Sequence, residues 1–271
     1  MVRNMFSFGN ASIAVAVLGV SVVAFAAGQS PGGAILMDRD DIAGVVTGPN
    51  GPEAGVWVIA ETRELPTRYV KIVVTDDAGR YLVPDLPQAT YDVWVRGYGL
   101  VDSEKAQAEP GDVLDLAAVV AADARAAAEY YPAQYWFALL QLPEPDAFPG
   151  TGLEGNGISP EIQSQGDWIR SIVSTDGCIG CHALGNRATR EIPGGLGDFD
   201  SHADAWERRV QSGQAGATMD ARLAQVGRGP ALAMYADWTD RIQAGEYPTI
   251  PPPRPQGIER NVVVSLWDWS V

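Results

Sequence analysis

The chain has 271 residues, 46% of them hydrophobic and 20% charged, which is enough for a sizeable core and, at ordinary domain size, about two domains. Its 30 glycines and 19 prolines predict a turn-rich fold. A net charge of −15, spread along the chain, repels phosphate backbones; it sets nucleic acid aside as a partner and has solubility as its plain meaning.

At the N-terminus Arg3 precedes an apolar run over residues 11–23, and Ala24-Phe25-Ala26 supplies the small residues a signal peptidase requires. This three-part pattern predicts a cleaved secretory signal over residues 1–26. A spanning helix needs about 20 apolar residues, whereas this run is broken by Ser21 and ends in Gly28-Gln29-Ser30. The membrane is therefore expected to be met only through the transient signal. The mature protein is expected in the periplasm or secreted, where cysteines oxidise readily.

Between residues 41 and 120 apolar and polar residues alternate, punctuated by turn residues. Strands are predicted at 42–46, 56–60, 70–75, 81–83, 90–96 and 113–120. Tyr91, Val93 and Val95 fall on one face of the fifth strand. Asp76-Asp77-Ala78-Gly79 predicts a hairpin turn, because glycine tolerates a positive φ. Short strands at this spacing predict an antiparallel β-sandwich. The segments GPEAGVWV and TDDAGRYLVPDLPQATYDVWVRGYG resemble the carboxypeptidase regulatory-like domain, a small prealbumin-type sandwich, over roughly residues 38–120. That resemblance implies a fold and a structural or binding module, and says little of chemistry. Trp57, Tyr91 and Trp94 are candidates for a sugar-binding platform, although sandwich aromatics more commonly fill the core.

At Ala121 the character changes. The alanine-rich stretch 121–131 predicts a short helix, within a connector that runs over 121–157. Ser159-Pro160 looks like an N-cap followed by a first helical residue, opening a helix to Val173 whose face carries Ile162, Ile169 and Val173, with Ile172 close to it. Further helices are predicted at 203–211 and 231–244. The latter carries Leu232, Tyr235, Trp238 and Ile242 on one stripe and ends at Gly245. An all-helical core of this size is thin by itself, and a large apolar cofactor would add buried area.

The ten residues DGCIGCHALG, 176–185, hold both cysteines and one of the two histidines of the chain. Cys178-x-x-Cys181-His182 is the pattern of covalent c-type haem attachment. Two thiols at this gap form thioethers with the porphyrin vinyl groups, and the adjacent imidazole becomes the proximal iron ligand. Three other readings exist. A disulfide leaves His182 unexplained, a thioredoxin-type pair lacks its βαβ setting, and a zinc site lacks a second cysteine pair.

The region 158–246 resembles a monohaem c-type cytochrome of the class I kind: a helix leading into CxxCH, a loop, a methionine, then a helix carrying an aromatic, here Tyr235 or Trp238. The resemblance implies one covalent haem c, bound through Cys178, Cys181 and His182. The sixth ligand is sought among Met219, His202 and Met234. Met219 sits in the glycine-containing stretch GQAGATMDA, 37 residues after His182, and is favoured as a loop residue folding over the far face. Arg187 and Arg190 follow the motif closely and are candidates to hold the two propionates, since guanidinium forks suit carboxylates; solvated surface charge is the alternative.

Residues 247–271 form a proline-rich run and then ERNVVVSLWDW, a strand that needs a partner sheet, in the sandwich or beyond. The expected fold is thus α+β and multidomain, an antiparallel β-sandwich followed by a small all-α cytochrome c-like domain. The expected function is one-electron transfer for a partner oxidoreductase, a periplasmic dehydrogenase for example. An extracellular binding protein for carbohydrate or an envelope partner, with a structural or sensory haem, is the second reading. A haem enzyme with an open distal position is the third.

Overall fold

The computed structural model describes residues 35–174 and 177–268; the expected signal at 1–26 lies outside them. From Ile35 onward the chain packs as one compact unit. It is α+β, with antiparallel sheets first and helices after.

Ten short strands come first: β1 (Ile42–Gly48), β2 (Gly51–Pro52), β3 (Trp57–Thr62), β4 (Tyr69–Val74), β5 (Arg80–Val83), β6 (Tyr91–Arg96), β7 (Leu100–Val101), β8 (Ala106–Ala108), β9 (Leu116–Ala117) and β10 (Val119–Val120). The helices are α1 (Ala124–Ala128), α2 (Ala133–Phe137), α3 (Gln165–Val173), α4 (Arg187–Arg190), α5 (His202–Val210), α6 (Gly216–Val226) and α7 (Arg228–Gln243), and a last strand follows, β11 (Val264–Trp267).

One sheet has the order β2-β1-β5, with β9 joining β1 in parallel; the other runs β11-β4-β3-β6-β8, antiparallel throughout. Side chains from both fill one core: Ile42 and Val46 from β1, Val83 from β5, Val58 from β3, and Val93 and Val95 from β6. Tyr91 joins them, so the expected inward face of the fifth strand is the observed one. The alternation of period 2 dictates this, because successive residues of a strand point to opposite sides. Gly79 takes φ +72° at the hairpin, and Asp76 Oδ1 accepts from the amides of Ala78 and Arg80 at 2.9 Å.

Trp94 faces the opposite side of the sheet, packed with Ile59 and Val70, and Lys105 Nζ lies 4.3 Å above its ring. Trp57, Tyr91 and Trp94 therefore do not share one open surface. The stretch 113–120, expected as one strand, is split. Leu116–Ala117 pairs with β1, then Val119–Val120 turns to pair with β7.

The helical part has its own core, in which Trp136, Trp168 and Trp238 have no exposed surface. Each indole N–H finds an acceptor, as a buried indole should: Trp136 on Ala128 O (2.9 Å), Trp238 on Trp136 O (3.0 Å) and Trp168 on Met234 Sδ (3.4 Å). Helix α3 begins five residues later than the sequence suggested. The Ser159 amide donates to Val226 O (2.9 Å) and Ile162 O accepts from Gly150 N (3.0 Å), which commits that segment to loop pairing. Ser164 is the cap instead, its Oγ accepting from Asp167 N at 3.1 Å. The buried face of α3 accordingly centres on Trp168 and Ile172, not on Ile169 and Val173. The α7 stripe is as expected, with Leu232, Tyr235, Trp238 and Ile242 all buried.

After α7 the proline-rich run returns to the sheets. Arg254 donates to Tyr98 O (3.0 Å) and pairs with Glu53 (2.6 Å), and β11 then pairs with β4 in register Val264↔Ile72. The terminal strand thus finds its partner within this chain.

Candidate functional site

Cys178, Ile179 and Gly180 form a single tight helical turn, closed by the Cys181 and His182 amides donating to Cys178 O. The next turn is tied down by Gly185, whose φ is +99° and whose absent Cβ would lie 2.0 Å from Ala133 O on α2. Only glycine lets the backbone after the motif rest on that helix.

The turn opens onto a cavity of ≈ 540 Å³, within the range of about 300–1,000 Å³ usual for cofactor sites. Cys178, Cys181 and His182 line one side, and Met219, Leu223 and Tyr235 are among the residues that line the rest. The walls are mostly apolar. Among the described residues, Arg209 and Arg222 are the charged ones that line it besides the motif and no carboxylate does, in a chain of net charge −15.

The two thiols are not joined, so the structure contains no disulfide at the motif. Cys178 faces inward with Sγ 3.3 Å from the Tyr235 hydroxyl, whereas Cys181 and His182 are exposed. Burial pushes the Cys178 thiol up, against a smaller lowering by its hydrogen bond to Tyr235. Burial also holds the Tyr235 phenol well above its usual value. Tyr235 stacks on Trp206 with centroids 4.8 Å apart and planes 22° apart, and the Trp206 indole is fixed by Thr239 Oγ1 at 2.9 Å.

The three candidates for a second axial ligand are clearly separated by position. Met219 lines the cavity, but from the first turn of α6 and not from a loop as the glycines suggested. The turn residues end at Gly216, where the helix starts. Met234 is committed to the core as the acceptor for Trp168. His202 begins α5 with Nδ1 2.6 Å from Asp240 Oδ1, and it does not line the cavity.

Arg187 and Arg190 are likewise placed away from the cavity. They border a separate cleft with Arg96, Asp102 and Glu129. Arg187 is exposed and paired with Glu191 at 2.9 Å. Arg190 is buried over the Trp136 ring at 3.8 Å and pairs with Glu129 while donating to Gly185 O at 3.2 Å. Burial lowers its pKa, and its contacts to Trp136, Glu129 and Gly185 make it an internal brace. Both point away because α4 presents its other side, through Thr189, to the cavity.

Sequence reasoning missed Arg209, Arg222 and Trp206. A helical spacing carried a signal for one of them: Met219, Arg222 and Leu223 stand at i, i+3 and i+4 on one face of α6.

The residue set fits a haem by its chemistry. Among the described residues it combines two thiols and an imidazole on one turn, a thioether on another helix, apolar walls, and guanidinium groups without competing carboxylates. Among the described residues no cluster of three or more His, Cys, Asp and Glu forms a metal site of its own, and no helix is long and apolar enough to cross a membrane. No protein-family model and no curated protein matches the chain.

Proposed function

We propose that the protein is a secreted or periplasmic c-type cytochrome that carries single electrons for a partner oxidoreductase. The observation that carries this reading is the cavity itself: the Cys178-x-x-Cys181-His182 turn and Met219 line the same apolar space. A pattern of three residues in the sequence thereby acquires a volume and a fourth donor from a distant helix.

Bound haem supplies a one-electron iron couple, and the protein supplies ligands, orientation and burial. Cys178 and Cys181 would hold the ring through thioethers, His182 would offer an imidazole nitrogen to the iron, and Met219 would offer a thioether sulfur, a donor that raises the potential of a c-type haem. Trp206, Leu223 and Tyr235 exclude water from the buried side. In this reading residues 158–246 are a cytochrome c-like domain and residues 38–120 a carboxypeptidase regulatory-like sandwich. The two sheets sharing one core support the second assignment, and the α3–CxxCH–α7 order supports the first.

The test is the optical spectrum of the reduced protein, matured in a host that attaches c-type haem, with and without carbon monoxide. A six-coordinate spectrum unmoved by the gas is expected for the wild type, and ready gas binding for Met219→Ala. Colourless protein with the mass of the bare polypeptide sinks the proposal.

A further inference from the structure

Two arginines line the cavity, and they are not equivalent. The Arg209 guanidinium lies 4.8 Å from the Trp206 ring centroid and donates to the carbonyls of Ala188, Thr189 (3.2 Å) and Glu191 (2.8 Å). Its donors are spent on fastening the segment after the haem motif to α5, and burial lowers its pKa. Arg222 is different. It is exposed, and among the described residues its side chain makes one hydrogen bond, a donation to Gln225 Oε1 at 3.2 Å. A guanidinium has five N–H donors in a planar fork, so most of this fork remains for a ligand. It stands one turn along α6 from Met219, on the same face.

We infer that Arg222 holds a carboxylate of the cavity's ligand, whereas Arg209 only builds the wall. This rests on the haem reading above and replaces the sequence-based assignment to Arg187 and Arg190, whose guanidinium groups already pair with Glu191 and Glu129. It also accords with the lack of carboxylates among the described lining residues of a strongly acidic chain: a ligand that brings its own negative charge would be repelled by them.

The experiment uses the full chain with Cys178→Ala and Cys181→Ala, so that binding is reversible. The probes are iron protoporphyrin and its dimethyl ester, which has the same ring and iron but no free carboxylate. Affinity is read from the absorbance of the bound iron and the quenching of the chain's tryptophan fluorescence. A charge-assisted hydrogen bond at a half-open site is worth about a tenfold preference for the free acid. That preference is expected in the parent and in Arg187→Gln, reduced in Arg222→Lys, and near one in Arg222→Gln. A merely structural role for Arg222 lowers both affinities together and leaves the ratio unchanged, which overturns the inference while the haem reading stands. Equal affinities for acid and ester in the parent overturn it in the same way. If neither porphyrin binds this variant while the wild type matures with haem, the inference alone fails; if the wild type is colourless as well, the haem reading fails and the inference with it.

Discussion

Cys178 and Cys181 are separated by only two residues in the chain and yet live in different surroundings. Cys178 is turned inward against the Tyr235 hydroxyl and Cys181 is exposed. Thiolate is the reactive form, so the chain with both thiols free should be alkylated first at Cys181. Because burial raises the Cys178 pKa, its rate should go on rising with pH beyond the ordinary thiol range. Peptide mass mapping after timed alkylation reads both sites; equal rates at neutral pH would mean that the turn is not seated on the cavity. At this scale the sequence was informative about chemistry and poor about direction. The spacing of Cys178, Cys181 and His182 is legible in any listing of the chain. Which of the arginines near the motif faces the cavity is not, since Arg187, Arg190, Arg209 and Arg222 are alike in type and differ only in what surrounds them.

Element by element, patterning worked where burial alone sets the pattern. The stripe of α7 and the alternation of β6 were read correctly because each buries one continuous face. Starts and stops were less secure. Ser159-Pro160 and Ser164 are both plausible caps locally, and the choice fell to Val226 and Gly150, which take the backbone of residues 159–162 into loop pairing. Likewise the glycines before Met219 suggested a loop, while the helix claims that methionine. Gly185 is the element-scale pivot, joining the turn after Cys178–His182 to α2. Gly185→Ala imposes a side chain on a positive φ and drives a Cβ into the Ala133 carbonyl. It should cost at least about 2 kcal/mol of stability. Urea unfolding would show this as a lower midpoint, and an unchanged midpoint would mean that the two segments do not touch.

For the whole molecule, the deep burial of phenols makes an alkaline prediction. Burial pushes Tyr91 up to about 12 and raises Tyr81 and Tyr235 as well. The Tyr91 hydroxyl donates to Pro87 O (2.9 Å) and that of Tyr81 to Leu114 O (2.6 Å). Folded values above the unfolded value near 10 mean that the stability these phenols confer is complete below pH ~10. It falls as the pH climbs through the folded values, from ~10 to 12 for Tyr91. Circular dichroism and phenolate absorbance followed together should therefore change together above pH ~10; phenols that all ionise near 10 with the fold intact would contradict the burial. The sequence by itself determined the composition of the molecule: a strand-rich front, a helical back, and a Cys-x-x-Cys-His motif between them, because periodicity and spacing are properties of neighbours along the chain. Only the tertiary structure decided that β11 closes onto β4, that Met219 and not His202 or Met234 lines the cavity with the motif, and that Arg222 is the guanidinium left available there. Those outcomes depend on which distant groups claim each donor and acceptor first, and that competition is settled by packing in three dimensions.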